Sequence, residues 1–439
     1  MAPRRVAVLI VAALVAGSCT GAPDTRTGRS PSPAGRSPSP QASPRANPAD
    51  DRAPCRRPKN EKTKPKPLKK RPLPPVLREV AQEVQDIRGL RFRRPINPRA
   101  VSREEMNRLL GEGVDEGLPR GRARRLQRAW ATIGAIPRGT DLREAFKDFG
   151  ASSIVGFYDT DDQRLVYVGT ESPSPLQRTV LAHELTHALD DQHFNLDRLD
   201  DLDAKCRDEA GMAYLSLVEG SAEVISGTWA SENLTAGEFA DMQAEQAAQG
   251  GLPSTVPPFF LQMIIFPYPN GTAFVSEVVD RGGTKALNTA FRNPPLSTEQ
   301  ILHPEKYPED RPRAIDVPDV ASKLGAKWKD LEFEEVGEGW LHILLDLRIG
   351  PEQSEQASEG WDGGEYRAWS RGKDTAIILD TVWDSEEDAE QFAEAMDDWL
   401  GERVGDVLPP QGSRVRVLFA SDKPTLTLLR RAAASSPVD

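Results

Sequence analysis

Cysteine is nearly absent from this sequence. The three copies, Cys19, Cys55 and Cys206 in 439 residues, are too few for the disulfide framework of a small stapled domain. Long apolar runs are missing as well. Past the N-terminus the nearest to one is 257–267, which Gln262 breaks and prolines bound, so no later segment reads as a membrane-spanning helix. There is no glycine-rich phosphate loop and no strand that alternates aromatic and basic residues. Positive charge is scarce in the body of the chain. Residues 20–75 hold fourteen Lys or Arg against four acidic residues, a net of +10, and residues 76–439 carry a net of −23. So acidic a body excludes nucleic acid as a partner.

What is present begins with an address. Arg4 and Arg5 precede an apolar run from Val6 to Ala16, which is too short to span a bilayer, and the small residues Gly17 and Ser18 lead into Cys19. This is the pattern of an export signal over residues 1–19. The stretch LVAGSC resembles the lipobox of bacterial lipoproteins, although Ala16 stands where that pattern usually has Leu. The resemblance implies a lipid on Cys19 and a protein held on the outer face of the membrane, or else secreted. Cys55 and Cys206 would then remain as a pair able to bridge in an oxidising compartment. Residues 20–75 are rich in Pro, Ser, Lys and Arg and read as a disordered tether, since they cannot bury enough apolar surface to offset chain entropy. Membrane association is expected only through the lipid, with a possible contribution from the basic tether.

Folded sequence is expected from residue 76 in two units. The first, 76–320, reads as mostly helical. VLREVAQEVQDI has helical spacing, Ser102 and Glu105 form a capping-box pattern, and 122–133 looks helical. SIVGFYD and RLVYVG then read as a β-hairpin turning at 159–163. Ser174 and Pro175 mark the start of a helix to about Leu189, with an apolar stripe of Leu176, Val180, Leu181, Leu185 and Ala188. Further helices are expected at 209–229 and 236–248, and a Gly-Gly break interrupts the one that follows. The second unit, 321–439, reads as a small α+β module with strands at 365–369, 375–383 and 414–419 and a helix at 385–400. The fold class expected is therefore α+β.

The hairpin-following helix carries His183-Glu184-Leu185-Thr186-His187, the HExxH pattern. Residues four apart share a helix face, so two imidazoles can converge on one zinc ion with Glu184 beside its water. Catalytic zinc takes three protein ligands and leaves one position open. Two residues compete for third place. His193 lies six positions after His187, the spacing of HExxHxxGxxH, but Asp190 occupies the glycine position at which the chain would turn. Glu219, in LVEGSAEV on the next helical segment, is the rival.

The run Glu219-Gly220-Ser221-Ala222 resembles the EGxA signature of gluzincin metallopeptidases, the peptidase MA group. That likeness implies a zincin-like fold with His183, His187 and Glu219 as zinc ligands, and Glu223 orienting a ligand histidine. HELTHALDDQHF, LVEGSAE, FPYPNGTAFV and STEQILHPEKY together resemble an uncharacterised bacterial group of envelope metallopeptidases over roughly residues 150–310. The 31 residues between His187 and Glu219 exceed the spacing of the best-known aminopeptidases, which points to endopeptidase action.

Glu184 is thus expected as general base for hydrolysis of a peptide or protein substrate, and His303 as a donor to the oxyanion, with Tyr214 and Tyr268 behind it. An edge of SIVGFYD or RLVYVG could take up an extended peptide. Asp190 and Asp191 read as a solvated helix end and His342 as a core or interface residue. PPFFLQMIIF would line a pocket or fill a core. The alternative function is a non-catalytic envelope binding or scaffold lipoprotein whose zinc is structural or vestigial.

Overall fold

The computed structural model describes residues 73–434 apart from 97, 161, 171 and 249–252, together with the strand β1 (Leu9–Ala13). Cys19, Cys55 and nearly all of the expected tether lie outside the described residues. The chain continues through α1 (Pro75–Arg88), β2 (Arg99–Val101), α2 (Arg103–Gly117), α3 (Arg120–Ile133), α4 (Leu142–Ser153), the hairpin β3 (Ile154–Asp159) and β4 (Arg164–Val168), and α5 (Pro175–Phe194). Next come α6 (Arg198–Ala204), α7 (Asp208–Asn233), α8 (Ala236–Ala248), α9 (Pro258–Ile265), α10 (Pro267–Arg292), α11 (Thr298–Leu302) and α12 (Ala321–Leu324). The remainder is β5 (Lys329–Glu335), α13 (Glu338–Ile349), α14 (Pro351–Ser358), β6 (Trp361–Arg371), β7 (Asp374–Trp383), α15 (Glu386–Leu400), β8 (Gly405–Val407), β9 (Arg414–Ala420) and α16 (Lys423–Ala434). The class is α+β, with helices packed on two small sheets. Among the described residues no helix is long and apolar enough to cross a membrane.

The first sheet has the order β1-β3-β4-β2, so β1 forms one edge and pairs antiparallel with β3, Leu9 opposite Asp159. The expected hairpin is β3 and β4, with Gly156 opposite Tyr167. The second sheet has the order β5-β6-β7-β9-β8, and its long strands β6 and β7 form the antiparallel centre. Trp361, Trp369, Trp383 and Trp399 are fully buried around it.

Position 320 separates the two sheets but not two cores. One apolar cluster takes in Phe157 of β3, Phe259 of α9, Trp340 of α13 and Phe392 of α15. The Phe259 and Trp340 rings meet edge to face at 5.2 Å, and Trp130 of α3 donates its indole N–H to Glu334 of β5 at 2.9 Å. Separate units joined by a linker would have few such crossings.

Two local features place the site. Ser174 accepts from the Gln177 backbone N–H while the Gln177 side chain accepts from that of Ser174, so a full capping box, with Pro175 in the first turn, fixes where α5 begins. The helix runs on to Phe194, and every residue from Val180 to Asp191 is buried. An apolar stripe on one face had been expected; α5 is instead enclosed on all sides, between the hairpin, α1 and α7. The expected Gly-Gly break is a kink in α10, where Gly283 has φ +63°.

Candidate metal centre

His183 and His187 lie one turn apart on α5, and Glu219 comes from the middle of α7, which packs alongside. The two Nε2 atoms are 3.0 Å apart, and Glu219 Oε2 lies 3.2 Å from His183 Nε2 and 3.5 Å from His187 Nε2. All three residues are buried, and they form a group able to hold a metal ion. With metal–nitrogen bonds of about 2.0–2.1 Å, the edges of a tetrahedron are roughly 3.3 Å long. The three observed separations straddle that length, so the donor set fits such an ion.

The surroundings tune the donors. Glu223, one turn beyond Glu219, sets Oε1 3.3 Å from His183 Nδ1. A proton on Nδ1 then leaves the Nε2 lone pair facing the other two donors, as a ligand requires. Without a metal, burial resists charge on His183, but Glu219 and Glu223 overcome it and raise the imidazole to about 10. On His187 burial prevails and lowers the pKa. For Glu219 the two histidines outweigh burial and hold the carboxylate below its ordinary value.

Glu184, fully buried, lies against β3. A Cβ at Gly156 would come within 3.1 Å of Glu184 Oε1 and 2.9 Å of Val180. Glycine therefore lets the strand pass close to α5. Gly220 answers a similar demand, because a Cβ there would lie 2.1 Å from the Gly271 carbonyl oxygen on α10. The glycine of EGSA and that of PYPNG meet where α7 and α10 touch.

Two readings of the sequence are corrected. His193, the alternative ligand, does not join the group. α5 continues through it, which turns its ring to another face, and Nε2 lies 2.8 Å from the Arg91 carbonyl. Asp190 and Asp191 are buried, not a solvated helix end. Asp190 pairs with Arg88 of α1 at 2.9 Å and accepts from the Ser221 hydroxyl at 2.8 Å. Asp191 accepts from the Tyr158 hydroxyl and the Leu196 N–H, and burial lifts it to about 6. Arg88 also donates to Asn288 of α10 at 2.7 Å, so one buried guanidinium ties together α1, α5 and α10. Nothing in the sequence distinguishes Arg88 from the exposed arginines around it.

His303 caps α11 and binds Glu338 Oε1 at 2.8 Å; that carboxylate raises its pKa. Tyr214 is buried in the core with the Arg198 guanidinium over its ring. Tyr268 lines the same cavity as Glu219. His342 is half-buried on α13, its Nδ1 3.2 Å from the Ser354 hydroxyl. Cys206 is disulfide-bonded, to a cysteine outside the described residues. A second acidic group, Glu299, Asp310 and Asp384, already surrounds the Lys306 ammonium.

A family model described as a domain of unknown function, DUF8575, matches residues 327–430. No curated protein matches the chain. Among solved structures it is similar to one described as "Crystal structure of a putative hydrolase with a novel fold from Chloroflexus aurantiacus". The identity is 16%, over 53% of this chain and 86% of that one, with a TM-score of 0.35.

Proposed function

We propose that this chain is a zinc-dependent endopeptidase of gluzincin type with a zincin-like catalytic region, acting outside the cytoplasm. The observation that carries the reading is the convergence of His183 Nε2, His187 Nε2 and Glu219 Oε2 at 3.0, 3.2 and 3.5 Å. Two imidazoles and one carboxylate are the donor set of a hydrolytic zinc site that keeps one position open. A structural site has no use for a buried carboxylate next in sequence to its first ligand, and Glu184 is such a group.

When bound, zinc would lower the pKa of water from 15.7 to about 7 and polarise a substrate carbonyl. Glu184 takes the proton of the attacking water and passes it to the leaving amine. Glu223 holds the His183 tautomer. Burial of the whole group keeps competing water away and strengthens each electrostatic contact. Tyr268, which shares a cavity with Glu219, and His303, whose Nε2 is held by Glu338, are the two donors proposed for the oxyanion.

The β3 edge supports a peptide substrate. It runs beside Glu184, and β1 (Leu9–Ala13) pairs along it antiparallel. Those residues belong to the proposed leader, so export and cleavage would vacate the edge for an extended peptide held by backbone hydrogen bonds. A lipid on Cys19 would keep the enzyme at the membrane face.

The test compares the zinc content and peptide-library cleavage of the wild type with those of Glu184→Gln and Glu219→Ala. The expected result is one zinc and cleavage for wild type, zinc without cleavage for Glu184→Gln, and loss of zinc for Glu219→Ala. Zinc without cleavage in the wild type, and no difference from Glu184→Gln, would instead favour the scaffold function.

A further inference from the structure

We propose that the region 327–430 serves as a specificity element for the metal centre. It would complete a groove that takes an extended peptide with bulky apolar residues near the cleaved bond and a Lys or Arg a few residues away. This rests on the endopeptidase reading above.

A cavity of about 350 Å³ has Glu219 in its wall. It follows one face of α7, because Asp208, Met212, Leu215 and Glu219 all line it and are spaced by four, three and four residues. From Asp208 to Glu219 is eleven residues, roughly 16 Å along a helix at about 1.5 Å per residue. An extended peptide, at about 3.3 Å per residue, covers that span in about five residues. No single side chain does.

The middle of the groove is apolar. Phe260 and Met263 of α9 line it together with Met212 and Leu215 of α7, which gives PPFFLQMIIF its place as part of the wall. The end remote from Glu219 has the opposite character. Asp208 and Glu209 of α7 meet Glu334 and Glu335 of β5, with Arg122 the one cation among the lining residues. Arg122 is paired with Asp203, and Arg207 with Glu335. Glu209 is lifted to about 8 by burial and is largely protonated at neutral pH. The lining thus holds more carboxylates than cations, on a body whose net charge is already −23. A cation on the substrate complements it, and an acidic residue there is repelled.

Glu334, Glu335, Gly339 and Trp340 belong to the segment matched by the domain of unknown function. Without them the acidic end keeps only Asp208 and Glu209 of α7. That supplies a reason for the shared core across position 320.

The experiment measures binding of fluorescent ten-residue peptides to the full-length Glu184→Gln protein loaded with zinc, by anisotropy. The peptides carry Leu or Phe at the centre and Lys, Gln or Glu three to five residues to either side. Leu215→Trp, which fills the groove one helical turn from Glu219, is compared together with Glu334→Gln, which keeps an acceptor for Trp130, with zinc content measured for each. The expected result is tightest binding by the Lys peptides, about fivefold over Gln, with the preference lost in Glu334→Gln and at high salt. Leu215→Trp should weaken binding about tenfold or more at unchanged zinc content and melting temperature. Peptide affinity indifferent to Leu215→Trp, or to the charge of the flanking residue, overturns the groove even if the wild type cleaves peptides. Groove-dependent binding by a protein that cleaves nothing would uphold the groove and sink the peptidase reading.

Discussion

Gly220 and Gly271 meet at the crossing of α7 and α10, with no room for a Cβ on either. One added at Gly271 would lie 2.0 Å from the Ser216 carbonyl oxygen, and one at Gly220 would lie 2.1 Å from that of Gly271. The contact is backbone against backbone, so no side chain can move to relieve it. It holds α7, the helix that carries Glu219, tightly against α10.

Gly271→Ala should therefore cost about 1–3 kcal/mol of stability or more, the usual range for overpacking a rigid core. Because α7 must shift to accept the methyl group, zinc affinity should fall as well. Urea unfolding and a competitive zinc titration measure the two effects. A variant with unchanged unfolding midpoint would show that the crossing is not tight.

Glu223→Gln should lower zinc affinity by about 10- to 100-fold while the fold is kept. The amide can still accept from the His183 Nδ1–H but no longer strengthens the ligand through its charge. Zinc competition with a chromophoric chelator reads this, and an affinity equal to wild type would remove Glu223 from the site.

Arg88→Ala leaves the Asp190 carboxylate buried with only the Ser221 hydroxyl beside it. The expected loss is about 3–5 kcal/mol, the range for stripping one partner from a buried ion pair. Arg88→Met combined with Asp190→Asn should recover part of it, since no uncompensated charge remains. Equal destabilisation by the single and the paired changes would mean that lost packing, and not the orphaned charge, sets the cost.

Burial raises Glu209 from its ordinary 4.5 to about 8, against the opposing hydrogen bonds from Thr298. Between those values the folded chain holds a proton that the unfolded chain releases, so this group makes stability fall as pH rises from about 4.5 to 8. Glu209→Gln keeps the acceptor for Thr298 and removes the titration. Melting temperatures from pH 5 to 9 should decline less steeply for the variant, with the curves separating toward alkaline pH. Asp191 and Glu299, raised to about 6 and about 7, act in the same sense and keep the variant from becoming flat.

Cys206 is expected to be joined to Cys55, and non-reducing peptide mapping should recover that pair. Cys206→Ser should then cost about 2–4 kcal/mol. Recovery of Cys19 in the linked peptide would contradict lipidation of that residue.

The sequence by itself determined the parts written in local rules. The Ser174 cap and Pro175 set the start of α5, the four-residue spacing put His183 and His187 on one face, and two short β-rich runs around a turn marked the β3–β4 hairpin. Those signals depend on neighbours a few residues away, which is why they are legible along the chain. Tertiary structure decided what depends on helices approaching one another. Only the packing of α7 beside α5 brings Glu219 to the histidines rather than His193, whose fate followed from α5 not turning at Asp190. Only the enclosure of α5 turned Asp190 and Asp191 from a solvated end into buried, paired groups. No local pattern marks Arg88, because a buried guanidinium differs from an exposed one only in what packs around it. The groove that joins α7, α9 and β5 has no sequence signature either, since its walls lie tens of residues or more apart in the chain and meet through a core that runs across position 320.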